Sequence, residues 1–370
     1  MPERGVEPAG AAAGGPDGGQ PVAGLLSAGP APVIGGFVVV LIGVLAVREV
    51  ASLVLPVLTG LFIALVAWPM VVTLERRGVR HGLALVTTIA VVLAVVLLAA
   101  GAVALSVGEL VVQVPRYESR LAAALAAVRD QLTQFGIGVD PGAITAVISP
   151  DRLFAFARPV ASAVSDAGGA LVVVAFIVIY ALSGATSARA RAAAAFGEKH
   201  PLLIGTERFG TDLRSYLVVR TQLGLFAAVL SAVLLVVLGV PLPILWAILV
   251  FFASFVPNIG SFIAVIPPTV LAFLENGPGT AAIVIAGYAV INFVQDQLLQ
   301  PVAMGSELNL SPLVVFIAVV VWAWILGPAG ALLAVPLTVV LVMVLEAFPS
   351  SQGVASLFRD KVEPHPGTAS

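Results

Sequence analysis

Residues 243–274 read PILWAILVFFASFVPNIGSFIAVIPPTVLAFL, 32 residues without a charged side chain. As one helix they would extend about 48 Å at roughly 1.5 Å per residue, against a hydrocarbon core of about 30 Å. The run is interrupted near its centre at Val256-Pro257-Asn258-Ile259-Gly260-Ser261. Proline lacks the amide donor and its ring crowds the preceding turn, so a helix stops or kinks there. Each half has about 14–16 residues, short for a span of roughly 20. Residues 312–345 repeat the design around Gly327-Pro328-Ala329-Gly330. Two topologies fit: each block is one long kinked span, or each is a hairpin that re-enters the face it came from. Short halves and central breaks favour hairpins. Hairpins place Glu275 outside and Glu307 inside; kinked spans reverse them.

The 370-residue chain around this run is 60% hydrophobic and 10% charged, where soluble domains carry roughly 25% charge. So much apolar surface defines an all-α polytopic membrane protein of about eight segments. The absence of cysteine excludes disulfides, thiolate metal sites and cysteine nucleophiles. Nothing in the charge pattern suggests a nucleic-acid surface. Between 221 and 345 there is no Lys, Arg or His, and the only charges are Glu275, Asp296 and Glu307.

Residues 1–32, rich in Gly, Pro and Ala, read as a disordered tail rather than a signal peptide. Residues 33–107 hold three spans: 33–47, 51–74 and 83–107. The Glu75-Arg76-Arg77-Gly78-Val79-Arg80-His81 loop between the last two is basic and marks the cytoplasmic side. Residues 108–167 turn amphipathic, with apolar side chains mostly three or four apart from Leu110 to Phe135. They are expected to form a small extracytoplasmic helical region, followed by helical pieces at 141–148 and 151–164. Residues 168–220 hold a fourth span and a basic cytoplasmic linker, and 221–240 form a fifth span. The broken-helix core covers 221–348, and 349–370 form a cytoplasmic tail, so both termini are expected in the cytoplasm.

The polar residues of that core cluster on the apolar helix beginning near Tyr288. Tyr288, Asn292, Asp296 and Gln300 stand four apart on one helical face, with Gln295 beside Asp296. A carboxylate in the bilayer costs about 2.5–3.5 kcal/mol on insertion scales, and no base between 221 and 345 can offset it. It binds a cation, takes up a proton, faces water, or simply caps the loop before Pro301. Asn258 and Ser261 flank the Pro257 break, where half-helix ends expose partial charges. Pro257, Gly260, Pro301, Gly327, Pro328 and Gly330 are the helix-breaking positions. Gly305, Asn309 and Ser311 read as a tight turn rather than a loop that closes the site. Arg220, where the fifth span begins, reads as a snorkelling interfacial anchor rather than a counter-ion to Asp296. Glu109, Asp166 and Glu275 read as solvated segment ends. His81, His200 and His365 have no metal-ligand spacing, so no metal or cofactor is expected.

Several motifs carry a resemblance: Leu74-Glu75-Arg76-Arg77-Gly78, the stretch 216–224, Val256-Pro257-Asn258-Ile259-Gly260-Ser261, Leu299-Gln300-Pro301-Val302-Ala303-Met304-Gly305, Leu308-Asn309-Leu310-Ser311-Pro312-Leu313, Gly327-Pro328-Ala329-Gly330 and Ala334-Val335-Pro336-Leu337. In this order and spacing the chain resembles the autoinducer-2 exporter family over roughly 33–349. The resemblance implies a bacterial inner-membrane homo-oligomer that exports small solutes, an autoinducer-2-like signal among them, or exchanges sodium for protons. The family commonly has Glu-Asn where this chain has Gln295-Asp296, which moves the acid one position, about 100° round a helix.

The expected function is therefore a secondary transporter of a small solute, driven by a proton or sodium gradient. A channel-like protein without coupling is the alternative. Neither lysine, Lys199 or Lys361, lies in a G-x-x-x-x-G-K-[ST] loop, which disfavours a primary pump. An intramembrane zinc protease would need H-E-x-x-H, which is absent, and an aspartyl protease a second buried acid beside Asp296.

Overall fold

A computed structural model describes residues 30–134, 157–197, 201–257, 259–303, 310–347 and 351–358. The expected tail before residue 30, the piece at 141–148, Asn258, Gly305, Glu307 and Asn309 lie outside the described residues. The described chain is helical throughout: α1 (Pro30–Glu49), α2 (Ala51–Arg76), α3 (His81–Gln134), α4 (Ala157–Phe196), α5 (Pro201–Val237), α6 (Pro243–Ala253), α7 (Ile259–Asn276) and α8 (Pro278–Phe293). A π-helical turn (Val294–Leu299) leads into α9 (Gln300–Ala303), followed by α10 (Pro312–Leu326), α11 (Pro328–Leu332), α12 (Ala334–Ala347) and α13 (Gln352–Ser356).

Ala51–Arg76, His81–Gln113, Gly210–Val237, Ile259–Asn276 and Pro278–Ala303 are long and apolar enough to cross a membrane. Leu98, Leu105 and Val112 on α3 are 73%, 79% and 80% exposed. Such a run of bare aliphatic side chains exceeds what soluble surfaces carry and needs lipid beside it. This is an all-α polytopic membrane protein, as the composition requires.

Both broken blocks fold back on themselves. In the first, Asn276 at the end of α7 donates from Nδ2 to the Leu238 carbonyl at 3.2 Å, just before α6. A continuous helix would hold these two residues about 57 Å apart. In the second, Trp322 on α10 donates from Nε1 to Thr338 Oγ1 on α12 at 3.1 Å, where a straight helix would separate them by about 24 Å. Glycine permits both bends. Gly260 approaches Ala253 so closely that a Cβ would sit 1.8 Å from its carbonyl oxygen. Gly327 ends α10 at φ 71°, a left-handed conformation that side chains disfavour, and Pro328 then opens α11 at its first position, where its missing amide is not needed. The chain's lack of cysteine makes the fold-back easy to test. Leu238→Cys with Asn276→Cys should be bridged efficiently by a short bifunctional thiol reagent, and failure to cross-link would restore the kinked spans.

Three apolar cores organise the helices. One joins the first hairpin (Trp246, Val250, Leu271), α5 (Ala227, Leu235), α8 (Val284, Tyr288) and the far part of α3 (Leu110, Tyr117). A second gathers Phe62, Leu213, Leu217 and the bend of the second hairpin at Ile325, Leu326 and Val335, with Phe255 of the first hairpin packed on it. The tips of both hairpins therefore meet at α5. A third packs α2 on α4, with Phe62's neighbour Ala64 against Val174 and Val178. Arg48 stacks over Trp324, 5.2 Å from the ring centre, tying α1 to the second hairpin.

The helix α3 runs unbroken from the third span into the amphipathic stretch. Glu109, Gln113 and Tyr117 form a one-turn ladder on it: Gln113 donates to Glu109 at 2.9 Å and Tyr117 to Gln113 at 2.6 Å. Burial, then the nearby Glu275 carboxylate, push the Tyr117 phenol above its ordinary value. Glu275 is not the solvated segment end that its position suggests. Its side chain is 18% exposed and pairs with Arg120 and, at 3.6 Å, with Arg116. The amphipathic extension is thus latched to the open end of the first hairpin. Both arginines are more than a third exposed, so the latch is worth at most about 1 kcal/mol. Glu275→Gln should lower thermal stability by that amount in low salt and by less in high salt, where screening weakens the pair.

Candidate functional site

The bend of the first hairpin does not end in solvent. Ser254, Val256 and Pro257 at the bend, with Val250 and Ala253 before it and Ser261 and Ala264 after it, form one wall of a cavity of about 280 Å³. The opposite wall is the end of α8 and the π-helical turn, through Tyr288, Asn292, Gln295, Asp296, Gln297 and Gln300, with Arg220 of α5 completing the lining.

The π turn has a local cause. Proline at 301 has no amide to donate to the Gln297 carbonyl, and its ring crowds that carbonyl. The preceding turn widens, and the Gln300 amide bonds the Gln295 carbonyl five residues back. An extra residue in the turn shifts the facing of the side chains around it, and such insertions are frequent at functional sites. Here Gln295 turns inward to 5% exposure, while Asp296 stays exposed and still lines the cavity. Gln295 Nε2 donates to Asp296 Oδ1 at 3.3 Å.

The wall on α7 carries a second irregularity. Ala264 is followed at both i+3 and i+4 by proline, Pro267 and Pro268. Neither position offers its carbonyl an amide, so a backbone acceptor is freed at the cavity wall.

Arg220 is not the snorkelling anchor expected from its place at the start of an apolar run. It is 7% exposed, donates from Nη1 to Gln300 Oε1 at 3.2 Å and lies 5.7 Å from the Tyr216 ring centre. Its Nε has no hydrogen-bond partner. The Gln295 Oε1 is also buried without one, and the buried Tyr288 hydroxyl lies beside Ser231. A buried polar atom without a partner typically costs about 1–3 kcal/mol, and these sit on side chains that line the cavity.

Of the expected site residues, Ser261, Tyr288, Asn292, Gln295, Asp296 and Gln300 converge on this cavity. Pro257 shapes its wall, and Pro301 shapes the turn beside it. Gly260 lets the hairpin close, whereas Gly327, Pro328 and Gly330 shape the other hairpin and do not line the cavity. Arg220, Ser254 and Gln297 complete the lining. The signal for Arg220 was its spacing: it stands one turn beyond Tyr216 and Leu217, both buried. Among the described residues no cluster of His, Cys, Asp or Glu could hold a metal ion.

Two hairpins whose tips meet at α5, the first of them walling a polar cavity, in an apolar helical protein define a membrane transport protein. Residues 36–350 match the family model described as AI-2E family transporter, and the chain belongs to that family. It is 28% identical to the AI-2 transport protein TqsA of Escherichia coli (strain K12) over 328 residues, 89% of this chain and 94% of that protein. It is 28% identical to YhhT of the same organism, covering 88% and 92%, and 30% identical to a Haemophilus influenzae protein, covering 88% and 95%. Both of these are provisionally named transport proteins.

Proposed function

We propose that the chain is a secondary transporter of small polar solutes in the bacterial inner membrane, with the cavity as its solute site and a proton or sodium gradient as its drive. The observation that carries this is the cavity's lining: a buried guanidinium, one carboxylate and several amide and hydroxyl side chains share one space between the bend of the first hairpin and the π-helical turn. Half-helix ends and freed carbonyls at a repeat interface are the form such sites take in transporters. The basic segments at 75–81 and 189–214 orient both toward the cytoplasm. That orientation makes the first hairpin re-entrant from outside and the second from inside, with both termini cytoplasmic. Opposed hairpins whose tips meet give each face of the membrane its own route to one site. The family resemblance supports a homo-oligomer.

The names of the relatives differ in what they assign, and only TqsA's name carries a solute. An autoinducer-2-like signal is therefore the first solute to assay. Purified protein in liposomes should move solute when a pH or sodium gradient is imposed and stop when it is collapsed. Asp296→Asn should abolish the dependence on the gradient while leaving the protein correctly inserted. Equal flux with and without a gradient would make the chain channel-like, and an unchanged Asp296→Asn would remove that carboxylate from the mechanism.

A further inference from the structure

The cavity holds two opposite charges that do not pair with each other. Arg220 is held by Gln300, and Asp296 by Gln295. Among the described residues neither Arg220 nor Asp296 takes part in an ion pair. Gln300, which holds the guanidinium, stands one turn beyond Asp296, about 5 Å along the helix. Arg220 and Asp296 line the same space.

We infer that this space takes a small zwitterionic solute, an amino acid or close analogue, with its carboxylate on Arg220 and its ammonium on Asp296. The inference rests on the cavity being the solute site and narrows the cargo to a chemical class. A guanidinium is a planar fork that matches a carboxylate through two parallel N–H bonds. Nη1 holds Gln300 and the guanidinium lies over the Tyr216 ring, which fixes the fork where the side chain lines the cavity. An ammonium group brings three donors and no acceptor. Around Asp296 the cavity supplies that carboxylate, with the Asn292 and Gln297 side chains on the same wall.

Simpler solutes fit the charges less well. A plain anion is attracted by Arg220 but repelled by Asp296, and a plain cation meets the reverse. A neutral solute leaves the buried guanidinium without a counter-charge, in a setting where unpaired charge is penalised most. A zwitterion satisfies both ends and leaves the net charge of the site unchanged, so loading adds no charge to be carried across the membrane. The volume sets the scale. About 280 Å³ lies just below the usual range of roughly 300–1,000 Å³ for small-molecule pockets, which favours a single amino acid over a peptide.

Titration calorimetry on the purified full-length protein tests this, with each common amino acid supplied singly. Propionate, ethylamine and propionamide serve as the anionic, cationic and neutral counterparts of alanine. At least one amino acid should bind, and alanine should bind roughly tenfold or more tightly than its three counterparts if it is among the binders. Arg220→Gln and Asp296→Asn should each weaken the bound amino acid by roughly tenfold or more while the protein stays monodisperse. If Arg220→Gln does not fold, Arg220→Lys, which keeps the charge and loses the fork, should weaken it instead. Propionate or propionamide binding more tightly than every amino acid, or no amino acid binding at all, overturns the inference. Amino-acid binding without flux in liposomes would sink the transport proposal and leave the zwitterion site standing. Gradient-driven flux of another solute, unaffected by any amino acid, would do the reverse.

Discussion

Gly260→Ala should unfold the first hairpin's bend. The added methyl carbon would lie 1.8 Å from the Ala253 carbonyl oxygen and 2.6 Å from its carbonyl carbon. Both are backbone atoms at the start of the bend, so no rotamer change relieves the contact. Gly330→Ala meets the same obstacle in the second hairpin, at 2.0 Å from the Trp322 carbonyl oxygen and 2.7 Å from Leu326 Cβ. Overpacking of this kind usually costs about 1–3 kcal/mol and sometimes more, and contacts with backbone belong at the upper end. Small residues at helix contacts are also what lets helices in membranes pack closely. Each substitution should lower the melting temperature of the detergent-purified protein and abolish flux. Gly260→Ala acts directly, because Ala253, Val256 and Pro257 form the cavity wall. Gly101→Ala on α3, where a Cβ meets nothing within 4 Å, is the control. It should be neutral or stabilising by about 0.5–1 kcal/mol, since alanine suits a helix interior better than glycine.

The second large effect is functional rather than structural. Arg220→Gln should cut solute flux by roughly ten- to a hundredfold, the equivalent of losing a charge-assisted hydrogen bond of about 1.5–3 kcal/mol. Stability should stay level or rise. The substitution removes a buried charge whose Nε has no partner and keeps a side-chain amide beside Gln300. A residue that served only to hold the fold would show the opposite pattern, with stability and flux falling together. The measurement is paired: thermal unfolding in detergent and initial flux rate in liposomes, on the same preparation.

The two hairpins were legible in the sequence because length and proline chemistry are local facts. A 32-residue apolar run broken at Pro257 cannot be a straight span, whatever surrounds it. The polar face of α8 was legible for the same reason, since Tyr288, Asn292, Asp296 and Gln300 keep a four-residue spacing. The features beyond reach depended on distant partners. Whether an arginine at the start of an apolar helix snorkels or turns inward is decided by the groups that pack there. Here Arg220 meets Tyr216 on its own helix and Gln300, 80 residues away. Glu275 looked like a solvated helix end because nothing local pairs with it. Arg116 and Arg120 reach it from a helix that the sequence divides into span and spacer and the structure joins into one rod. The π turn left a single trace, Pro301 directly after a polar run. Its effect, turning Gln295 inward beside Asp296, is a matter of backbone register that residue spacing alone does not reveal.

If the cavity between the first hairpin's bend and the π turn is the solute pathway, a reagent of solute size must reach it and must stop transport there. The cysteine-free chain permits a direct measurement: Ser261→Cys, reconstituted in oriented vesicles and treated with a small membrane-impermeant thiol reagent from each side. The single thiol should react, its reaction should block flux, and transported solute should protect it. A thiol that reacts from neither side, or that reacts fully while flux continues unchanged, would contradict the cavity's role as the pathway.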